Sequence, residues 1–232
     1  MDFSGHSSSR PIAGRVAAGL LLLAALTASA QTDELLDHWI AAQTNLHTWS
    51  ADLIQTRTIK TLSQPLVSAG RVWVAVPDRF RWELGQPAQT IALRQPEQLL
   101  IIYPRLKRVE KYPLKNAQPG PWRDALALLE ASFPRSRTNL EAQFRVLSLT
   151  QTNSVACLSL QPRSPSARKF VTGLQIRFRT DDCSPVSTEL TFSDGSSLGN
   201  EFTNAVLNPR LPDGCFDANL APDFSIVEPL QP

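Results

Sequence analysis

Hydrophobic and polar positions change rhythm several times along this chain. The first apolar run, Val16 to Leu26, is unbroken, follows Arg10 and Arg15, and gives way to Thr27-Ala28-Ser29-Ala30. A basic stretch, an apolar run too short to anchor in a bilayer and an A-x-A site predict a secretory signal peptide over residues 1–30, with the mature chain starting near Gln31. From Thr32 to Trp49, the residues Leu35, Leu36, Trp39, Ile40, Leu46 and Trp49 follow the three-and-four spacing of an amphipathic helix. Asp33 and Glu34 suit its first turn, so one helix packed on a sheet is expected there.

From Ser50 the pattern shortens to β-branched and aromatic runs separated by Pro and polar turns. Strands are predicted at Gly70 to Val76, Phe80 to Leu84, Thr90 to Arg94, Leu99 to Tyr103 and Arg108 to Leu114. Connections this short make an antiparallel meander. At Pro121 the helical period returns, with Trp122, Ala125, Leu126, Leu129 and Phe133 on one face and Pro134 as the stop. Strands resume at Phe144 to Thr150, Val155 to Gln161, Gly173 to Thr180, Val186 to Phe192 and Ser196 to Val206. Pro162 to Lys169 is expected to be a polar, mobile loop, and a Pro-rich tail closes the chain. The fold class expected is mainly β with helices (α+β), an unclosed antiparallel β-barrel or strongly curved sheet of about ten strands with helices on one side.

Composition narrows the function. Without residues 1–30 the 232-residue chain keeps 202, enough for a single domain over 31–232. Lys and Arg then number 21 against 20 Asp and Glu, a balance unlike that of a nucleic-acid binder. Cys157, Cys183 and Cys215 would permit one disulfide and a spare thiol in an oxidising compartment, and their spacing does not choose among the three pairings.

Candidate catalytic patterns fail on context. Gly195-Ser196-Ser197-Leu198-Gly199 matches G-x-S-x-G, but a nucleophile elbow needs strand, turn and helix with a later histidine. Here Asp194-Gly195 reads as a hairpin turn between strands, and no histidine follows His47. His38 and His47, nine residues apart, would face opposite sides of the first helix and share no metal. No cofactor or catalytic residue is indicated. Arg105, Lys107, Arg108 and Lys111 between Tyr103 and Tyr112 read as a solvated face or a patch for an acidic partner or anionic headgroups.

The stretch Gly70-Arg71-Val72-Trp73-Val74-Ala75-Val76-Pro77-Asp78-Arg79-Phe80-Arg81-Trp82-Glu83 resembles the central signature of the outer-membrane lipoprotein carrier family, LolA. Leu53-Ile54-Gln55-Thr56, Leu99 to Pro104, and the terminal Phe202-Thr203-Asn204, Asn208-Pro209 and Cys215-Phe216 are similar to further family motifs in the same order. The resemblance implies an open barrel lined with apolar residues under a helical lid, carrying lipoprotein acyl chains across the periplasm without catalysis. It implies as partners triacylated lipoproteins or lipids, an inner-membrane ABC transporter that loads the carrier, and an outer-membrane receptor, with no nucleic acid. The carrier is expected to be a monomer.

Trp39, Phe80, Trp82, Leu84, Trp122, Leu126 and Leu129 are the expected cavity and lid residues. Phe80, Trp82 and Leu84 alternate with Arg81 and Glu83, so one face of that strand is apolar and the other charged. In the family an arginine precedes the signature proline and holds the lid closed; Val76 occupies that place here. The anchored receptors of the fold begin with a cysteine, which Gln31 replaces, so a diffusing protein is expected. Competing readings are a carrier or sensor of another lipid, and an exported hydrolase.

Overall fold

A computed structural model describes residues 33–114 and 131–229. The expected signal peptide lies outside them, as does the expected lid helix with Trp122, Ala125, Leu126 and Leu129. The chain runs from helix α1 over 33–44 into β1 (Thr48–Thr58), β2 (Leu66–Ala75), β3 (Arg79–Leu84), β4 (Thr90–Gln95), β5 (Gln98–Tyr103) and β6 (Arg108–Pro113). Next come α2 (Arg137–Gln143), β7 (Phe144–Thr152), β8 (Val155–Pro162), α3 (Pro165–Arg168), β9 (Val171–Arg179), β10 (Pro185–Phe192), β11 (Ser197–Leu207) and β12 (Ser225–Val227).

All twelve strands join one strongly curved sheet in the order β12-β6-β5-β4-β3-β2-β1-β11-β10-β9-β8-β7. The outermost strands, β12 and β7, do not pair, so the sheet stays open. Two antiparallel meanders, β1 to β6 and β7 to β11, meet where β1 pairs with both β2 and β11. The ten expected strands are present, and the Asp194-Gly195 turn joins β10 to β11. Beyond them the structure adds β1 and the short β12, which lies parallel to β6.

Several boundaries differ from the sequence pattern for local reasons. The first helix stops at residue 44 rather than at Trp49. Trp49, Ala51 and Leu53 are buried at every second position of β1, a strand period that happens to continue the helical spacing from Leu46. His47 consequently lies beyond the helix. The Pro162 to Lys169 loop contains one helical turn, started by Pro165 and capped by the Ser164 hydroxyl, which accepts from the Ala167 N–H at 3.3 Å. Ser136 caps α2 likewise, accepting from the Asn139 N–H at 3.0 Å. Arg137, at the start of that helix, pairs with Asp33 and Asp37 of α1 and with Glu141, tying the two helices together.

All three cysteines are free, so the disulfide that composition would permit is not formed. Cys157 on β8 faces the Gln175 side chain, Cys183 is buried in the β9–β10 turn, and Cys215 belongs to the tail beside Arg81. Burial pushes the Cys183 and Cys215 thiols up.

Strand register sorts the side chains into two faces. On the first face, Trp49, Val74, Phe80, Arg94, Leu99 and Tyr112 form one cross-strand row from β1 to β6. Ala51, Val72, Trp82 and Ala92 form the next row. Further along the sheet the same face carries a polar ladder: Gln55 Nε2 donates to Asn200 Oδ1 at 2.9 Å, and Asn200 Nδ2 donates to Thr188 Oγ1 at 3.1 Å. Beyond the ladder lies the core under α1, where Leu36, Trp39 and Ile40 pack on Leu158, Leu160, Leu174, Ile176 and Phe178. The described helix α1 therefore covers this face, as a sheet with helices on one side requires.

The opposite face is apolar only over β4 to β6, where Ile91, Leu93, Leu100, Ile102 and Val109 are buried against Phe216, Ala218, Leu220 and Phe224. The tail is held there by polar contacts. Arg81 donates to the Cys215 and Asp217 carbonyls, and Gln95 Nε2 donates to the Phe216 carbonyl at 2.8 Å. Lys107 pairs with Asp223, Lys111 with Glu228 at 3.0 Å and Arg108 with Glu110 at 2.8 Å. The basic cluster noted in the sequence is thus largely neutralised within the molecule.

Gly70 sits where β2 and β3 approach closely. A Cβ there would lie 1.9 Å from the Glu83 carbonyl oxygen, so any side chain must force the two strands apart. Gly70→Ala is expected to destabilise the fold by about 2–3 kcal/mol, the upper part of the overpacking range, and thermal unfolding checks this.

Candidate functional site

Phe80 and Trp82 alternate with Arg81 and Glu83 along β3. Arg81 Nε and Glu83 Oε1 pair at 2.5 Å on the opposite face, which leaves the two aromatic rings on the first face beside Val74 and Val72 of β2. There, Val74, Val76, Pro77, Phe80, Trp82 and Phe133 line an apolar cavity of about 50 Å³, with Arg79 and Arg94 also bordering it. Its floor continues into an aromatic group. Trp49 meets Phe133 at 5.5 Å between ring centroids and Phe202 edge-on at 5.0 Å, and Phe202 meets Trp82 edge-on at 6.0 Å.

The expected site residues fall in different places. Phe80 and Trp82 are half-buried and line the cavity. Leu84 packs on the same cluster, one step further along β3. Trp39 lies across the polar ladder, fully buried and stacked on Phe178 at 4.9 Å with an interplanar angle of 16°. Trp122, Leu126 and Leu129 are outside the described residues.

Val74, Pro77, Arg79 and Arg94 line the cavity without having been named as site residues in the sequence, and Val76 and Phe133, noted there for other reasons, line it too. At Val76 the structure gives an apolar wall. Arg94 reaches the site through strand pairing, opposite Phe80. A basic residue near the end of a predicted strand carries no such signal in sequence, because register with the neighbouring strand decides what it faces.

Among the described residues lining the cavity there is no carboxylate, histidine, hydroxyl or thiol. Among all the described residues no group of three His, Cys, Asp or Glu side chains is placed to hold a metal ion. Ser197 of the G-x-S-x-G match lies on β11, paired with Thr58 and Thr191, in a hairpin strand rather than an elbow. Further along the cavity row, the Tyr112 hydroxyl donates to Glu110 Oε2 at 2.9 Å. Burial, reinforced by that carboxylate, pushes the Tyr112 phenol above its ordinary value.

What this arrangement can do chemically is surround apolar matter. An open sheet with an aromatic-lined hollow on its helix-bearing face is the architecture of a protein that binds apolar ligands. The chain belongs to the LolA family: the sequence model of the outer membrane lipoprotein carrier protein LolA matches residues 44–219. This is a family of binding and carrier proteins.

Solved structures with a similar fold include a conserved protein from Thermus thermophilus, 12% identical, covering 86% of this chain and 99% of that one at a TM-score of 0.49. A LolA superfamily protein from Nitrosomonas europaea is 9% identical over 80% of this chain and 96% of its own, with a TM-score of 0.40. A chain from the Pseudomonas aeruginosa MucA/MucB complex is 14% identical over 84% of this chain and 62% of its own, with a TM-score of 0.45. Comparison with curated proteins finds no match. No helix among the described residues is long and apolar enough to cross a membrane.

Phe133 separates the cavity from the Trp49 ring. Phe133→Ala is expected to enlarge the cavity and cost about 2 kcal/mol, less than the 3–5 of a fully buried ring because Phe133 is only partly buried. Denaturant unfolding reads the loss, and brighter fluorescence of an apolar dye reads the larger cavity.

Proposed function

We propose that this protein is a periplasmic carrier that shields the acyl chains of lipoproteins and ferries them from the inner to the outer membrane. On this reading residues 1–30 are a cleaved signal peptide and 31–232 form the carrier domain. An inner-membrane ABC transporter loads it and an outer-membrane receptor unloads it. The observation that carries the proposal is the apolar cavity bounded by Val74, Val76, Phe80, Trp82 and Phe133 on the helix-bearing face, in a chain of the LolA family.

The magnitudes favour a passive device. At about 0.8 kcal/mol per buried methylene, three long acyl chains represent on the order of 30 kcal/mol of gross burial, so extraction from a bilayer must be driven from outside. The carrier itself has only to shield the chains and release them. A cavity of about 50 Å³ is smaller than the roughly 150 Å³ that accepts a benzene-sized guest. Loading therefore requires the cavity to widen, and Phe133, in an irregular segment beside Trp49, is the side chain best placed to move.

Val76, in place of the family arginine, favours one alternative, a carrier of another lipid, since the wall it contributes is purely apolar. Purification from the periplasm followed by mass spectrometry of bound material distinguishes the two. Co-purifying triacylated lipoprotein is expected, free lipid would establish the alternative, and an empty cavity with esterase activity would sink both. Trp82→Glu puts a charge among the cavity aromatics; it is expected to abolish cargo binding while the circular dichroism spectrum and unfolding transition of a folded protein persist. Collapse of the fold instead would assign Trp82 to the core.

A further inference from the structure

Strand order places the β1–β2 turn (59–65), the β10–β11 turn (193–196) and the segment between β8 and β9 (163–170) at one end of the sheet, away from the β2–β3 turn that borders the cavity. They form a contiguous corner. The Ser193 N–H donates to the Phe170 carbonyl at 2.9 Å, the Ser193 hydroxyl donates to the Lys169 carbonyl at 2.7 Å, and the Lys60 stem lies against Gly195.

Charge is unevenly divided between the two ends. The three turns of this corner carry Lys60, Arg163, Arg168 and Lys169, with Asp194 as their carboxylate. The turns at the other end carry Asp78, Glu97, Asp181 and Asp182. Asp194 is engaged by the Ser196 N–H and hydroxyl. Arg163 and Arg168 donate to backbone carbonyls. Lys60 and Lys169 form no ion pair among the described residues and are exposed.

Beside these lysines stand large apolar side chains in water: Phe170 is 54% exposed, Leu62 46% and Leu66 52%. They project from turns and a strand end. Exposed lysines next to exposed Phe and Leu side chains are the combination that settles at the boundary between headgroups and acyl chains.

We propose that this corner docks on an anionic lipid bilayer, with Lys60 and Lys169 at the headgroups and Phe170 and Leu62 entering the interface. Contact here would leave the cavity end facing away from the membrane surface. The inference stands whatever the cavity carries.

Co-sedimentation of the mature protein with phosphatidylglycerol/phosphatidylcholine vesicles tests it, with pure phosphatidylcholine as the control. Partition onto the anionic vesicles alone, weakening as salt rises, is expected. Lys60→Gln and Lys169→Gln should each weaken partition about fivefold, and the pair about 30-fold. Phe170→Ser should weaken it as well, with an unchanged unfolding midpoint because the ring is exposed. Absence of partition onto anionic vesicles, or partition unaffected by the double lysine change, overturns the proposal. Sensitivity to the lysines with none to Phe170 would also overturn it, because that is the signature of a purely electrostatic contact such as an acidic protein face.

Discussion

Everything in this fold hangs on β1, whose two edges are both used. On one side β1 pairs with β2, its neighbour in sequence; on the other it pairs with β11, some 150 residues away, so that Trp49 stands opposite Leu207 and Leu53 opposite Phe202. Each meander can form from local contacts, but only this long-range pairing makes one sheet of them. The junction is fastened at its end by Asn208, whose side-chain oxygen accepts from the His47 and Thr48 N–H groups at 2.7 and 3.2 Å. The Thr48 hydroxyl adds a bond to the Pro209 carbonyl at 2.7 Å. Closing so long a loop is slow and entropically costly, so it must be repaid by burial, and the Trp49, Trp82 and Phe202 rings that meet across the junction provide it.

That pairing also creates the site. The edge-on contacts of Phe202 with Trp49 and Trp82 exist because β11 lies beside β1, and they support the cavity-lining rings of Trp82 and Phe133. The polar ladder of Gln55, Asn200 and Thr188 divides the face into two apolar regions with different roles. Beyond the ladder, α1 covers the face, with Trp39 stacked on Phe178. On the near side the apolar row from Trp49 to Phe80 keeps a hollow. The face thus has one half sealed by α1 and another whose apolar surface keeps a hollow.

The face of β4 to β6 turned away from α1 is apolar, where an antiparallel sheet with one wet face would be polar. The tail explains it. Phe216 to Phe224 cover the outer side of these strands, and Arg81, the charged residue that alternates with the cavity aromatics, holds the tail backbone. One strand, β3, therefore supplies cavity lining through Phe80 and Trp82 and tail anchorage through Arg81.

Much of this was legible along the chain. Ten strands, the antiparallel meander, the open sheet and the apolar face of β3 all follow from period-two alternation and turn chemistry, which are local properties. Family membership is legible too, since the Gly70 to Glu83 signature is contiguous. What lay beyond reach depends on which strand lies next to which. Trp49 fits a helical spacing until β11 pairs with its strand. Trp39 and Trp82 look alike as apolar aromatics, yet one is sealed between α1 and the sheet and the other lines the hollow. Arg94 becomes a cavity residue only through its register with Phe80, and the three cysteines stay free on β8, in the β9–β10 turn and in the tail. The sequence by itself determined the elements and their apolar faces, through the spacing of side chains along each segment. Only the tertiary structure decided which of those faces close on each other and which remain open, because that depends on contacts between residues far apart in the chain.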